Sequence, residues 1–434
     1  MLNNNGKKII GKNFLFILCI VCLMFSSFGF EDSFALELNE TGCGIELESD
    51  SDNILGNSQI DEVLEVDSQN SGELRGVERS VSGRTFNDIQ NVVNEANSGD
   101  TIKLTGQYYS TGTQVVINKQ LTIVGSSSTV LDGKSLSRIF YLRDTAAGTV
   151  IKDIKFTRGQ YNVGSAIYVG AKNVLIDNCV VENNHCNVSG GAISTRHDID
   201  TSENLKIINC RFIGNYGHWN DFDETSSGGA VGAYARGTEI RNCYFESNWV
   251  KGKKTCYGGA LQVGIDLPGS NAKVIDCVFI NNSAISTEEV SHGGAGCVRD
   301  GTSYINCIFI NNSADMGGAL TLHASGTIEN CTFIGNHANY NGGAIVNAKG
   351  CELIVNNCTF TNNSIARITD AYGGGAIMSR GKLIVLDSKF YGNFAKFGGA
   401  ICAYNETVIR NSYFEDNVAT ISGGALFNYF PNVC

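Results

Sequence analysis

The chain has 434 residues, a formal net charge of −11 and 16 cysteines. That acidity argues against a nucleic-acid or anionic-membrane partner and names no positive one. It is concentrated between Glu37 and Ser80, where a run of carboxylates faces only Arg75 and Arg79 and no aromatic residue occurs.

Taken in chain order, the first element is a targeting signal. Lys7, Lys8 and Lys12 precede an apolar run from Phe14 to Phe25, and Ser33-Phe34-Ala35 supplies a small-x-small cleavage pattern. The run is shorter than the roughly 20 residues needed to cross a bilayer. A signal peptide over 1–35 is therefore expected, with secretion to the cell surface and no transmembrane span in the mature chain; a retained anchor is the alternative. Residues 36–83 read as an acidic disordered linker, because they bury too little apolar surface to order themselves.

From residue 84 the pattern changes. Phe86, Ile89, Val92, Val93 and Ala96 fall at helical spacing, Asn87 is a candidate cap, and Ser98-Gly99-Asp100 stops the pattern. A solenoid end exposes its core unless covered, so this helix is expected to be a cap. Strands at Val115 to Ile117, Leu121 to Val124, Thr129 to Leu131 and Val150 to Phe156 read as irregular first coils within 84–178.

Residues 179–434 then repeat Cys-x-Phe-x-x-Asn followed by Gly-Gly-Ala. The frame runs through Cys210, Phe212, Asn215; Cys243, Phe245, Asn248; Cys277, Phe279, Asn282; and Cys307, Phe309, Asn312, and it returns at Cys331 and Cys358. Ser388 and Ser412 later take the cysteine slot, and a degenerate first unit starts at Cys179. The shortest repeat, from Cys307 to Cys331, is 331 − 307 = 24 residues, in the range of solenoids. That length suits three short strands and three turns, and the period-2 patterning opposes helical repeats. The predicted class is all-β: a right-handed parallel β-helix of about a dozen coils with a short N-terminal capping helix. Three residues before each cysteine lies an apolar column (Ile207, Ile240, Val274, Tyr304, Ile328). One residue before lies Asn or Asp (Asn209, Asn242, Asp276, Asn306, Asn330), expected to form a left-handed corner. The cysteines sharing one slot read as a ladder of buried thiols; Cys186, Cys256, Cys297, Cys351 and Cys402 lie off it and could include a bridge. The chain stops at Cys434 without a capping unit, which favours a fragment of a longer protein.

These residues resemble known repeats. Phe-x-x-Asn with Gly-Gly-Ala-Ile or Gly-Gly-Ala-Leu is similar to the repeats of chlamydial polymorphic outer-membrane proteins. In its Asn-Cys-x-Phe form it is similar to adhesin-like surface proteins of methanogenic archaea. The resemblance spans roughly 84–434 and implies the pectin-lyase-like fold and a surface role. It transfers no catalytic residue, because the motif is scaffold.

Function is expected in the insertions between the ladder asparagine and Gly-Gly, at Tyr216 to Ser227, Trp249 to Tyr257, Ser283 to His292 and Ser364 to Tyr372. Three are consecutive and should project side by side. They supply the candidate ligand-binding residues His218, Trp219, Asp221, Asp223, Trp249, Lys251 and Lys253, because aromatic faces stack on sugar rings and charges orient them. The bland reading packs both tryptophans onto the solenoid. The expected partners are cell-surface or wall polysaccharides, or surface proteins of host or neighbouring cells. An enzymatic alternative, a polysaccharide lyase or hydrolase, would draw on Asp198, Asp200 and Glu203 or on Asp221, Asp223 and Glu224, yet no spacing selects them. A structural envelope role is a further alternative. No catalytic residue, cofactor or metal is assigned, although Asp221 and Asp223 would admit calcium.

Overall fold

The structure, a computed structural model, describes residues 76–195, 202–218, 225–264, 271–366 and 373–429. The predicted signal peptide, most of the linker, and Trp219, Asp221, Asp223, Asp198 and Asp200 lie outside the described residues. Within them the chain coils into a parallel β-helix whose strands stack into four sheets, two of 13 and two of 12 strands.

Four faces, not three, is a correction with a clear backbone cause. In one coil, face one is Lys206–Ile208, face two Arg211–Ile213, face three Tyr216–His218 and face four Val231–Ala233. The expected Asn/Asp corner does separate faces one and two: Asn209, Asn242, Asp276, Asn306 and Asn330 all have φ between 52° and 56°. A second left-handed column follows each three-residue face-two strand, at Asn183, Gly214, Ser247, Asn281, Asn311 and Gly335. Its members are chemically mixed and share only the backbone conformation, so the repeat pattern hides it. The same effect divides the strand expected over Val150 to Phe156 into Val150–Lys152 and Lys155–Thr157, with Asp153 at φ 60° between them.

Inside, identical side chains stack coil on coil. The register pairs Ile207 with Ile240, Val274, Tyr304 and Ile328 on face one. On face two the rings of Phe212, Phe245, Phe279, Phe309, Phe333, Phe360, Phe390 and Phe414 form one continuous stack, with centroids 4.6–4.9 Å apart and planes within 5°. The spacing is that of neighbouring strands, so backbone pairing fixes the aromatic stacking. The ladder asparagines are buried beside this column. The Asn215 amide donates to Asn248 Oδ1 at 3.0 Å and to the Val181 carbonyl at 2.7 Å. The thiols also ladder: the backbone N–H of Cys210 points at Cys243 Sγ at 3.4 Å, and Cys210 Sγ at the Ile208 carbonyl at 3.1 Å. All twelve cysteines among the described residues are buried as thiols, and no disulfide joins any two of them. Burial raises the Cys179, Cys243 and Cys307 pKa values well above that of an ordinary thiol.

The Gly-Gly pair closes each coil by two different means. Gly317 takes φ 63°, the left-handed turn. Gly318 needs close approach instead: an added Cβ would lie 2.2 Å from the Gly343 carbonyl oxygen one coil on.

At the N-terminal end the helix is Phe86–Glu95, with Phe86, Ile89 and Val93 buried over the first coil. Its cap is Thr85 rather than Asn87. Asp88 N–H donates to Thr85 Oγ1 and Thr85 N–H to Asp88 Oδ2, a reciprocal capping box. Asn87 instead accepts from Thr113 Oγ1. Gln90 covers the open edge of face four, its side-chain amide bonding both the N–H and the carbonyl of Val116. Folded structure also begins earlier than residue 84. Glu78–Ser80 pairs in parallel with Thr101–Lys103, held because Asp100 accepts from Arg79 Nε at 2.7 Å and Val77 N–H at 2.8 Å. The first two coils lack a face-three strand, which starts at Gln160–Val163.

Candidate functional site

The three consecutive insertions form one ridge on face three. Each splits its strand into two legs: Tyr216–His218 with Ser226–Ser227, Trp249–Gly252 with Cys256–Tyr257, and Ser283–Ser286 with Ser291–His292. First legs pair with first legs and second with second. Unsplit strands clasp the ridge from both ends. Below, His185 pairs with Tyr216 and Ser189 with Ser227; above, Ser283 pairs with Ser313 and His292 with Met316. Val250, Cys256, Ala284 and Ala314 fill a small separate core between the legs. The tip is bonded as well: Glu288 N–H donates to the Lys253 carbonyl at 3.0 Å and Thr255 Oγ1 to Glu289 Oε2 at 2.6 Å. The ridge is thus a folded extension of the sheet. The fourth insertion begins with Ser364–Ile365, and 367–372 lie outside the described residues.

Of the seven candidate binding residues, His218, Trp249, Lys251 and Lys253 are described, and the structure brings the first three together. His218 pairs with Lys251 in register, and its ring sits 6.0 Å from that of Trp249. Lys251 and Lys253 are exposed. Trp249 belongs to an external aromatic column that the sequence reading missed. His185 stacks on Tyr216 at 4.4 Å, and Tyr216 on Trp249 at 4.6 Å with planes 9° apart. All three are half-buried. Burial lowers the His185 pKa, so its ring is neutral at pH 7. The missed signal was position: each is the residue directly after a ladder asparagine, Asn184, Asn215 or Asn248. The column ends abruptly, because the next residues in register are Ser283 and Ser313. The upper face of the Trp249 indole therefore looks over small side chains.

Of the acidic candidates only Glu203 lies among the described residues. Glu203 is engaged with Lys172 at 3.1 Å. Among the described residues no set of three or more His, Cys, Asp or Glu side chains is arranged to hold a metal, and no helix is long and apolar enough to cross a membrane.

Comparison with known proteins agrees with the topology. The family model described as right handed beta helix region matches residues 138–333. The Chlamydia polymorphic membrane protein repeat matches residues 330–348 and 357–380. No curated protein matches the chain. Among solved structures, a Geobacillus virus E2 protein, ORF18, is 14% identical with a TM-score of 0.42, covering 73% of this chain and 62% of that one. The tailspike protein gp49 of Acinetobacter baumannii bacteriophage Fri1, a capsular polysaccharide depolymerase, is 11% identical with a TM-score of 0.41, covering 78% and 62%. The Streptococcus pneumoniae surface protein and adhesin PfbA is 12% identical with a TM-score of 0.39, covering 81% and 100%. The chain thus spans less than two thirds of the length of the first two.

Proposed function

Starting from a right-handed parallel β-helix repeat protein with an aromatic ridge, we propose that the chain is a secreted, cell-surface adhesin-like protein that binds surface or wall glycans through that ridge. The observation that carries this reading is the stack His185–Tyr216–Trp249, which among the described residues stops at Ser283, a small side chain in the next position in register. A sugar ring laid there would continue the stack, with its apolar face on the indole and its hydroxyls toward His218 and Lys251. The clasped legs hold the platform in place before the ligand arrives, which lowers the ordering cost of binding. In the sequence Trp219, Asp221 and Asp223 lie one, three and five residues after His218.

The test is a glycan-array screen of the chain from Leu36 onward, with Trp249→Ala alongside. Loss of one stacking partner should weaken binding about five- to tenfold. Unchanged binding by that variant would remove the ridge from the reading. Released oligosaccharides in the same wells would replace the adhesin with a polysaccharide-cleaving enzyme.

A further inference from the structure

The second left-handed corner, between faces two and three, carries a tripeptide that the aromatic stack does not use. At Asn281, Asn311 and Asn362 the corner residue is asparagine, and the residue two places on is Ser283, Ser313 or Ser364. Other coils turn the same corner with Asn183, Gly214, Ser247, Gly335, Gly392 or Asp416. There the residue two places on is His185, Tyr216, Trp249, His337, Phe394 or Val418. Serine thus enters that slot only where asparagine holds the corner. The backbone does not require this pairing, since glycine, serine and aspartate adopt the same left-handed φ in neighbouring coils.

The side chains point the same way. All three asparagines are exposed, and among the described residues their side-chain amides have no hydrogen-bond partner. Gly335 and Gly392 follow Asn311 and Asn362 in the column. A Cβ added to either glycine would lie 2.5 Å from the asparagine Oδ1, whereas Nδ2 is not within 4 Å of it. The glycine therefore makes room for the carbonyl end of the amide, and the nitrogen is turned away from the next coil. Asn281 lacks this room, because Asn311 follows it. We propose that Asn311 and Asn362 are acceptor sites for N-linked glycan, transferred from a sugar carried on a polyprenyl phosphate. This inference rests on the export of the chain, which belongs to the surface reading above. In the transfer the Asn Nδ2 attacks the anomeric carbon of the sugar. The C1–Nδ2 bond forms as the C1–O bond to phosphate breaks; the lipid phosphate leaves with the electron pair, and a base takes one amide proton.

Asn312 and Asn363, the middle residues of the two tripeptides, are buried in the ladder. Transfer must then precede closing of the coil, and the folded corner has to carry the product. The first corner cannot do so, although Asn330-Cys-Thr and Asn357-Cys-Thr have the same pattern. There Asn330 Nδ2 donates to Asn306 Oδ1 at 3.2 Å and Asn357 Nδ2 to Asn330 Oδ1 at 2.8 Å, so each nitrogen is turned onto the neighbouring coil. The sugars would also have a surface to cover. Beside the second corner, the outward positions of face two are apolar where the tripeptides occur: Val278, Ile280, Ile308, Ile310 and Ile334, all half-buried. The coils before and after carry Glu246 and Lys389 there instead. Glycans anchored along the edge of this β-branched stripe would shield it from self-association.

The experiment is peptide mass spectrometry on the chain purified from the cells that make it, for wild type, Ser313→Ala, Ser364→Ala and Ser313→Thr. Sugar is expected on Asn311 and Asn362 and not on Asn330 or Asn357. Ser313→Ala should lose the sugar on Asn311 alone, Ser364→Ala that on Asn362 alone, and Ser313→Thr should keep both. None of these variants alters the left-handed residue, and the site left intact in each reports that the chain still reaches the transferase. The N-terminal peptide of the same digest reports whether the signal has been removed. A processed chain with bare Asn311 and Asn362 would overturn the inference and leave the adhesin reading standing, whereas an unprocessed, bare chain would overturn both. Sugar on Asn330 or Asn357, or sugar retained on Asn311 in Ser313→Ala, would also overturn it.

Discussion

Asn282 shows what a ladder position demands of one residue. Its side-chain amide donates to Asn312 Oδ1 and to the Phe245 carbonyl, both at 3.0 Å, while its backbone N–H also reaches Asn312 Oδ1, at 2.9 Å. Its own Oδ1 receives both donors of Asn248. Asn282→Ala would strand buried groups in two coils at once, and a loss of about 1–3 kcal/mol is expected in denaturant unfolding, with the slope unchanged. The cysteine slot is more tolerant. Cys358 N–H donates to Ser388 Oγ at 3.1 Å, so a hydroxyl accepts there as a thiol does. This difference was legible in sequence, where serine replaces cysteine and nothing replaces the ladder asparagine. The second corner was not, since Gly214, Ser247 and Asn281 share a φ and no side chain.

At the scale of elements, the N-terminal cap and the ridge contrast in how visible they were. Apolar spacing revealed the helix, but Asn87 and Thr85 are both good cap residues and only the geometry chooses Thr85. The strand Glu78–Ser80 was hidden inside an acidic stretch because a single carboxylate holds it. Asp100 is lowered from 3.8 to about 2, chiefly by the hydrogen bond from Arg79 and then by the N–H groups of Asn97 and Val77. A depressed folded-state value gives stability that is present above pH 3.8 and lost as pH falls toward 2. Hydrogen exchange, corrected for the intrinsic pH dependence, should show Val77 to Ser80 losing protection across that window while the Phe-stack coils keep theirs. Asp100→Asn should release the same strand at neutral pH. For the ridge, the insertion lengths announced its place on face three. Its split and clasped strands could not be read, because neither Tyr216 nor Ser226 carries a strand signal long enough to see.

For the whole molecule, the thiols measure how the solenoid opens. Twelve cysteines are buried in the described residues, and the seven in the repeat slot span coils from Cys179 to Cys358. Each coil is stabilised by its neighbours, so opening should begin at an end and spread. These thiols should therefore resist alkylation in the native state, and under mild denaturant Cys358 and Cys402 should label before Cys277, read by peptide mass spectrometry. Simultaneous labelling of all coils would show a single all-or-none transition instead.

The direction of the backbone hydrogen bonds has a mechanical consequence. In all four faces they run from coil to coil, along the axis of the solenoid. A pull on the two ends loads them in tension and peels one turn at a time, unlike a shear load that strains a whole strand at once. A 24-residue turn such as the one from Cys307 to Cys331 rises about 5 Å when wound and reaches about 80 Å when drawn out. Pulled from both ends, the described coils would lengthen turn by turn, which caps the force carried from one end of the stack to the other.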